Sequence, residues 1–274
     1  GNAITFNVAP PFPDTVPADS LVGKAVFDLW HYQDRVLQPT QKINAARDRI
    51  QSFQAIYQIA TKKLVKLGND SIPTYTISDD GKLAIANSRE KYMVQAMWGD
   101  GLTDVYLTDA TTGATKLLRE GFDGATWQLS YGAKYISFFE KGAWYTYNIA
   151  SGKTTNVTGA IKGVSFTNET YDTPTEAPPS YGVAGWTRED RSMLVNDRWD
   201  IWEIDPTGVR PPVNITDGWG RKNTTTLRIA GGPGGFGILA GSDERGIDPS
   251  KPLQLRGVND ETKAQVVARD MLGV

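Results

Sequence analysis

The residues able to do chemistry are few and scattered. The chain has one histidine, His31, and no cysteine. A lone histidine has no partner cluster for metal ligation, and without cysteine there is no thiolate nucleophile, thiolate metal site or disulfide. His31 is therefore read as structural. No G-x-S-x-G sequence is present, so no nucleophile elbow raises a serine on a strained strand-to-helix turn. Asp197 and Asp200 flank Arg198 and Trp199, and Asp79-Asp80-Gly81 is a second acidic pair. A calcium ion would need about six to eight oxygens. Both pairs are read as strand-end turns, the first with a local Asp–Arg contact. GGPGGFG at residues 231–237 lacks the Gly-Lys-Ser/Thr ending of a phosphate loop and reads as a flexible loop. A glycosidase would need two carboxylates about 5–10 Å apart across a cleft, and the pattern places no such pair. No catalytic residue, cofactor or metal is expected.

Binding chemistry is better represented. Of Trp98, Trp127, Trp144, Trp186, Trp199, Trp202 and Trp219, most fall within strand-like segments and are expected in the core. Trp219 differs, because it lies in the turn Asp217-Gly218-Trp219-Gly220 beside Arg221. An exposed aromatic next to an arginine suits a ligand or partner surface. Five N-x-S/T sequons occur, at Asn69, Asn156, Asn168, Asn214 and Asn223. Those at Asn156 and Asn214 recur as NVT and NIT at strand ends.

The elements that must position these residues are repeated. DIWEIDPTGVRPPVNIT, residues 200–216, reads as a strand, a turn and a second strand. Copies run at 144–158 (WYTYNIASGKTTNVT) and 104–118 (DVYLTDATTGATKLL), with a weaker one at 55–68. Hairpin turns are predicted at Thr111-Thr112-Gly113, Ala150-Ser151-Gly152 and Pro206-Thr207-Gly208. Each clear copy follows a leader with Ser or Thr, polar turn residues, Lys or Arg, then an alternating strand. The leaders begin at Ile77, Leu129 and Trp186, with Ser78, Ser130 and Thr187 followed in register by Lys82, Lys134 and Arg191. Their spacing suits a propeller blade of about 40–50 residues plus loops. Residues 89–101 lengthen one blade and 166–180 separate two others.

Composition agrees. The chain of 274 residues is 39% hydrophobic and 22% charged, as a folded protein is, with 28 Gly, 15 Pro, 8 Trp and 11 Tyr. Many turns plus aromatic strands favour an all-β fold. Net charge is −2, so no field favours nucleic acid. No apolar run approaches the roughly 20 residues of a membrane span. Gly1 is not a methionine, so a leader removed upstream would leave no trace.

In chain order, proline-rich residues 1–23 are expected to be extended along the surface. Residues 24–32 (KAVFDLWHY) read as a buried strand. Within 41–53, Ile43, Ala46, Ile50 and Phe53 fall at helical spacing. Strand is nevertheless favoured there, because a blade lacking it would expose an edge. Clear blades follow at 72–118, 124–158 and 181–216, with a long ordered loop at 166–180. Residues 218–229 start another strand, 248–263 give one more strand and a turn, and the tail to Val274 reads as a short helix. The predicted fold is an all-β partial β-propeller of about four to five blades. It spans 24–265, between an N-terminal segment 1–23 and a tail 266–274.

Three stretches carry a family resemblance. NDRWDIWEIDPTG, then PVNITDGWGRKN, preceded by DTPTEAPPSYGVAGWT, resembles the N-terminal propeller of secreted bacterial peptidases of the prolyl oligopeptidase family. VFDLWHYQDRVLQPTQ and DPSKPLQLRGVNDETK resemble an earlier and a later part of the same domain, so the resemblance covers roughly residues 24–265. The blade repeats alone are also similar to the periplasmic propeller of the Tol system. In the peptidase family the propeller gates a C-terminal α/β-hydrolase domain with a Ser-Asp-His triad. That domain is absent from this sequence, and His31 precedes any nucleophile although the family order puts histidine last.

The resemblance implies a non-catalytic propeller segment that gates or positions peptide substrates for a hydrolase domain. Its expected ligand or partner surface is Glu176, Tyr181, Trp219 and Arg221. The alternative is a standalone periplasmic propeller that scaffolds protein partners. Either reading places the protein in the periplasm or outside the cell, without nucleic acid or membrane partners. Incomplete blades at both ends also predict either self-association through open strand edges or closure by residues 3–29 and 253–274, with 26–30 lying beside 253–258.

Overall fold

The computed structural model describes residues 2–11, 22–25, 27–99, 101–123, 127–173, 177–230 and 246–270. The chain divides into two compact units, Gly1–Phe122 and Asp123–Val274. Both are built from consecutive antiparallel sheets of β-propeller blade type, each strand pairing with the next in sequence.

The first unit holds two sheets. One is β1 (Ala3–Val8), β2 (Phe53–Gln58) and β3 (Lys63–Lys66); the other is β4 (Thr76–Ile77), β5 (Leu83–Ser88), β6 (Thr103–Asp109) and β7 (Thr115–Phe122). They pack through Ile56, Val65, Leu67, Tyr75, Ala84, Ala86 and Ala110. Small alanines on β5 let the larger side chains of β2 and β3 fill the space between the sheets. Gln58 Nε2 fastens the same layer by donating to the carbonyls of Gly81 (2.8 Å) and Ala110 (3.1 Å).

The second unit holds three sheets. They are β8 (Trp127–Leu129) to β11 (Thr154–Asn156) by way of β9 (Tyr135–Glu140) and β10 (Ala143–Asn148); β12 (Val183–Trp186), β13 (Met193–Asn196), β14 (Ile201–Ile204) and β15 (Val213–Asn214); and β16 (Thr225–Ile229), β17 (Leu253–Asn259) and β18 (Gln265–Asp270). The middle sheet is covered on both faces, so all four β13 residues are buried. Met193 and Val195 pack with Trp144, Val157 and Trp186, whereas Leu194 packs with Ile201, Ile229 and Leu255. Period-2 alternation sends neighbouring side chains to opposite sheets, and the strand reads as continuous apolar sequence.

The predicted hairpins are present, and one physical device makes them. An Asp or Asn ends the third blade strand and its side chain accepts turn N–H groups: Asp109 from Thr111 (2.8 Å), Asn148 from Ser151 (2.9 Å), Asp205 from Thr207 (2.9 Å) and Asn259 from Thr262 (2.8 Å). The turn ends at a residue with positive φ, which is Gly113 (82°), Gly152 (70°) or Gly208 (71°). In the outer sheets it is Lys62 (55°) and Lys263 (61°), so the weaker copy is the same turn without its glycine.

The leaders have an equally local cause. The hydroxyls of Ser78, Ser130 and Thr187 accept the N–H five residues on, at 3.0, 3.0 and 2.8 Å. Asp190 then ties two leaders together. Its carboxylate accepts Ser130 Oγ (2.5 Å), Gly132 N (2.9 Å) and Lys134 N (3.1 Å) of the preceding blade.

Four expectations are corrected. Residues 27–32 form no strand, and Phe27, Leu29, Trp30 and Tyr32 are exposed. The helical spacing at 41–53 prevails: Gln38–Arg49 is helix α1, with Pro39 in its first turn and Phe53 already in β2. The β2 edge that favoured a strand there is filled by β1, so residues 3–8 belong to a sheet rather than to a surface arm. At the other end Gln265–Asp270 is strand β18, not helix, and it fills the second edge of β17. No edge of β17 is left for the segment around residue 27.

Candidate functional site

In the second unit, the turn between β13 and β14 carries the Asp197 and Asp200 pair. Asp197 and Asp200 are fully buried. Asp197 Oδ1 accepts the N–H groups of Trp199 (2.6 Å) and Asp200 (2.7 Å), and its Oδ2 accepts Trp202 Nε1 (3.0 Å) and Arg221 Nη2 (3.3 Å). Asp200 accepts the Thr216 hydroxyl (2.8 Å) and the N–H groups of Gly220 (3.0 Å) and Arg221 (3.3 Å). It therefore holds the first turn of the short helix α2 (Trp219–Lys222). A side chain at position 220 would meet Trp199 O at 2.4 Å, so only glycine fits there. With both carboxylates engaged by donors, the pair is structural. The arginine that meets Asp197 is Arg221, not the neighbouring Arg198.

That scaffold presents arginines and aromatics together. Trp219 is 45% exposed on α2, one residue from Gly220 and two from Arg221. Arg198 lies over the Trp199 ring at 4.4 Å and pairs with Asp260 at 3.2 Å. Arg228 lies 5.9 Å from the centre of the Tyr181 ring and donates to Asp197 O at 3.0 Å. Burial holds the Arg228 pKa below its usual value, although a guanidinium stays charged. Burial likewise raises the Tyr181 phenol, whose oxygen accepts the Glu169 N–H at 2.9 Å. Of the expected surface residues, Arg221 meets Asp197 directly, Tyr181 is linked to Asp197 only through Arg228, and Trp219 is exposed on α2. Glu176 lies outside the described residues. Sequence reading missed Arg228 and Asp260, which come from β16 and the turn after β17. Nothing local marks them, because their partners are 30 to 62 residues away.

The first unit contains a cavity of about 470 Å³, within the usual range of small-molecule sites. Arg35, Val36, Leu37, Asp70, Arg89, Glu90, Met93 and Met97 are among its lining residues. It is built from the connections between β1 and β2 and between β3 and β4, and from the lengthening at 89–101. The latter forms a 3₁₀ turn (Glu90–Tyr92) and one α-helical turn (Met93–Ala96). Tyr92 donates to buried Asp104 at 2.7 Å, and Lys91 pairs with Asp104 (2.9 Å) and Glu120 (2.8 Å).

The remaining signals have local explanations. His31 sits in an exposed loop, its Nδ1 accepting Gln33 N–H at 3.2 Å. Asp80 Oδ1 accepts the Ser78 hydroxyl (2.7 Å) and Lys82 N–H (3.0 Å) in the leader turn. No cluster of three or more His, Asp or Glu suited to a metal occurs among the described residues. Each sequon asparagine bonds within its own turn; Asn156, for example, accepts Gly159 N–H at 2.7 Å, and Asn223 Nδ2 donates to Trp219 O at 2.8 Å. Trp144 and Trp186 are core residues as expected, but Trp98 is 84% exposed on the lengthened connection. The glycine-rich 231–237 loop lies outside the described residues. No helix among the described residues is long and apolar enough to cross a membrane.

No protein-family model and no curated protein matches the chain. Solved structures do. The β-propeller domain of the Trilobed protease from Pyrococcus furiosus, described as having an open velcro topology, is similar at TM-score 0.45 and 11% identity, covering 80% of this chain and 62% of that one. The acylaminoacyl peptidase of Pyrococcus horikoshii is similar at TM-score 0.44 and 9% identity, covering 98% of this chain and 36% of that one. TolB from Acinetobacter baumannii is similar at TM-score 0.36 and 11% identity, covering 80% of this chain and 49% of that one. This chain spans less than two thirds of the length of each.

Proposed function

We propose that the chain is a non-catalytic propeller segment that binds and positions peptides for a partner hydrolase domain of the prolyl oligopeptidase type. The observation that carries this reading is the arginine–aromatic surface at the β13–β14 turn. Most of it is built by the same stretch, 181–223, that resembles the peptidase propellers, with Arg228 and Asp260 added from β16 and the turn after β17. Arginines donate to peptide carbonyls and carboxylates, while Trp199, Trp219 and Tyr181 offer flat apolar faces to side chains such as proline. The buried carboxylates hold these groups in place before a ligand arrives, which lowers the ordering cost of binding. Calorimetric titration with proline-containing peptides tests the reading. Saturable binding that falls about tenfold in Trp219→Ala, with no cleavage of the peptide, is the expected result. Absence of binding, or turnover abolished by a serine-directed inhibitor, would contradict it.

A second reading, a periplasmic propeller that scaffolds protein partners, draws on one observation. Phe27, Leu29, Trp30 and Tyr32 are each at least 63% exposed in one short segment, and exposed apolar patches mark interaction surfaces. Replacing all four by serine would abolish partner capture while leaving peptide binding intact.

A further inference from the structure

The cavity of the first unit has an arrangement of charge that its structural role does not require. Arg35 and Glu90 bond to each other at 2.5 Å and neutralise one another. Arg89 and Asp70 remain. Both are exposed, and neither side chain has a hydrogen bond or ion pair among the described residues. The rest of the wall is mostly apolar, with Val36, Leu37, Met93, Ala96 and Met97 beside the polar Thr40, Asn44 and Ser71, and Leu37 is 53% exposed. One unmatched cation and one unmatched anion over an apolar wall complement a small zwitterion carrying an apolar side chain. Methionines adapt such a wall to side chains of different shape. The Lys91 and Tyr92 bonds to Asp104 hold the segment that carries Arg89 and Met93.

We propose that this cavity binds an apolar amino acid or a short peptide with free termini. Arg89 takes the carboxylate, Asp70 takes the ammonium, and Met93, Met97 and Leu37 enclose the side chain. All of its lining residues belong to the first unit, and the proposal stands or falls independently of the arginine–aromatic surface.

The test titrates the intact chain with leucine, leucyl-leucine, N-acetylleucine and leucinamide, by calorimetry and by the fluorescence of Trp98, which follows Met97. Leucine or leucyl-leucine is expected to bind saturably. The two blocked compounds, each lacking one charge, are expected to bind about tenfold more weakly or worse, as loss of a charge-assisted hydrogen bond requires. Arg89→Gln and Asp70→Asn should weaken binding by a similar factor with an unchanged Tm, because neither side chain bonds to the fold. Ala96→Trp should fill the cavity and abolish binding. Preference for leucyl-leucine assigns a peptide, and preference for leucine an amino acid. No binding by any of the four, equal binding by all four, or full binding by both charge variants would overturn the proposal.

Discussion

At the scale of single residues, buried carboxylates hold the two candidate surfaces in place. Asp104 is 2% exposed at its side chain and receives Tyr92, Lys91 and the Gly121 N–H. Burial pushes its pKa up, but these partners outweigh burial and hold it below the usual carboxylate range. The stabilisation is therefore fully present above the ordinary aspartate pKa of about 3.9 and is lost as pH falls through the lower folded value. Asp104→Asn should cost about 1–3 kcal/mol in denaturant melts and loosen the 89–101 segment. Asp104→Asn should also shift the acid-unfolding midpoint. Asp190→Ala removes three hydrogen bonds between neighbouring leaders and should cost roughly 3 kcal/mol. Sequence showed Asp190 only as a turn residue, because its partners lie 56 to 60 residues earlier. The Asp197 and Asp200 turn was legible as structural from residue types alone. Its arginine was not, because Arg221 reaches Asp197 through a helix whose placement depends on Gly220.

At the scale of elements, the hairpins and the position of the 89–101 lengthening were legible, and the segment between β1 and β2 was not. The Asx turn followed by a positive-φ residue is local chemistry, so its signature survives in sequence. Gly152→Ala would place a methyl in ordinary contact with Tyr147 Oη at 3.7 Å and should cost about 1 kcal/mol for the positive φ alone. Gly208→Ala meets Thr155 Cγ2 at 2.8 Å and should cost more. Thermal melts of the two variants would rank them, and equal costs would refute the packing term. The helix at Gln38–Arg49 was passed over because the true partner of β2 lies some 45 residues upstream, at Ala3–Val8. Apolar character misled at 27–32 as well. A hydrophobic run reports what a segment is able to bury, not whether anything covers it.

At the scale of the whole molecule, two compact units each repeat one blade topology and elaborate the same kind of place, the connection between a blade's second and third strands. In the first unit those connections, joined by Asp70 and Ser71 from the β3–β4 connection, line the cavity; in the second, the β13–β14 turn anchors the arginine–aromatic surface. β1 and β16 are edge strands of three-stranded sheets among the described residues, and self-association through such edges is expected. Light scattering over a range of concentrations should show a growing apparent mass, and Thr5→Pro in β1 should suppress it. The central claim is that the surface around Asp197 receives peptides. Hydrogen–deuterium exchange with and without a saturating proline-containing peptide tests it most directly. The account predicts added protection at residues 197–200 and 219–222. Bound peptide that leaves both segments exchanging as in the free protein would contradict it.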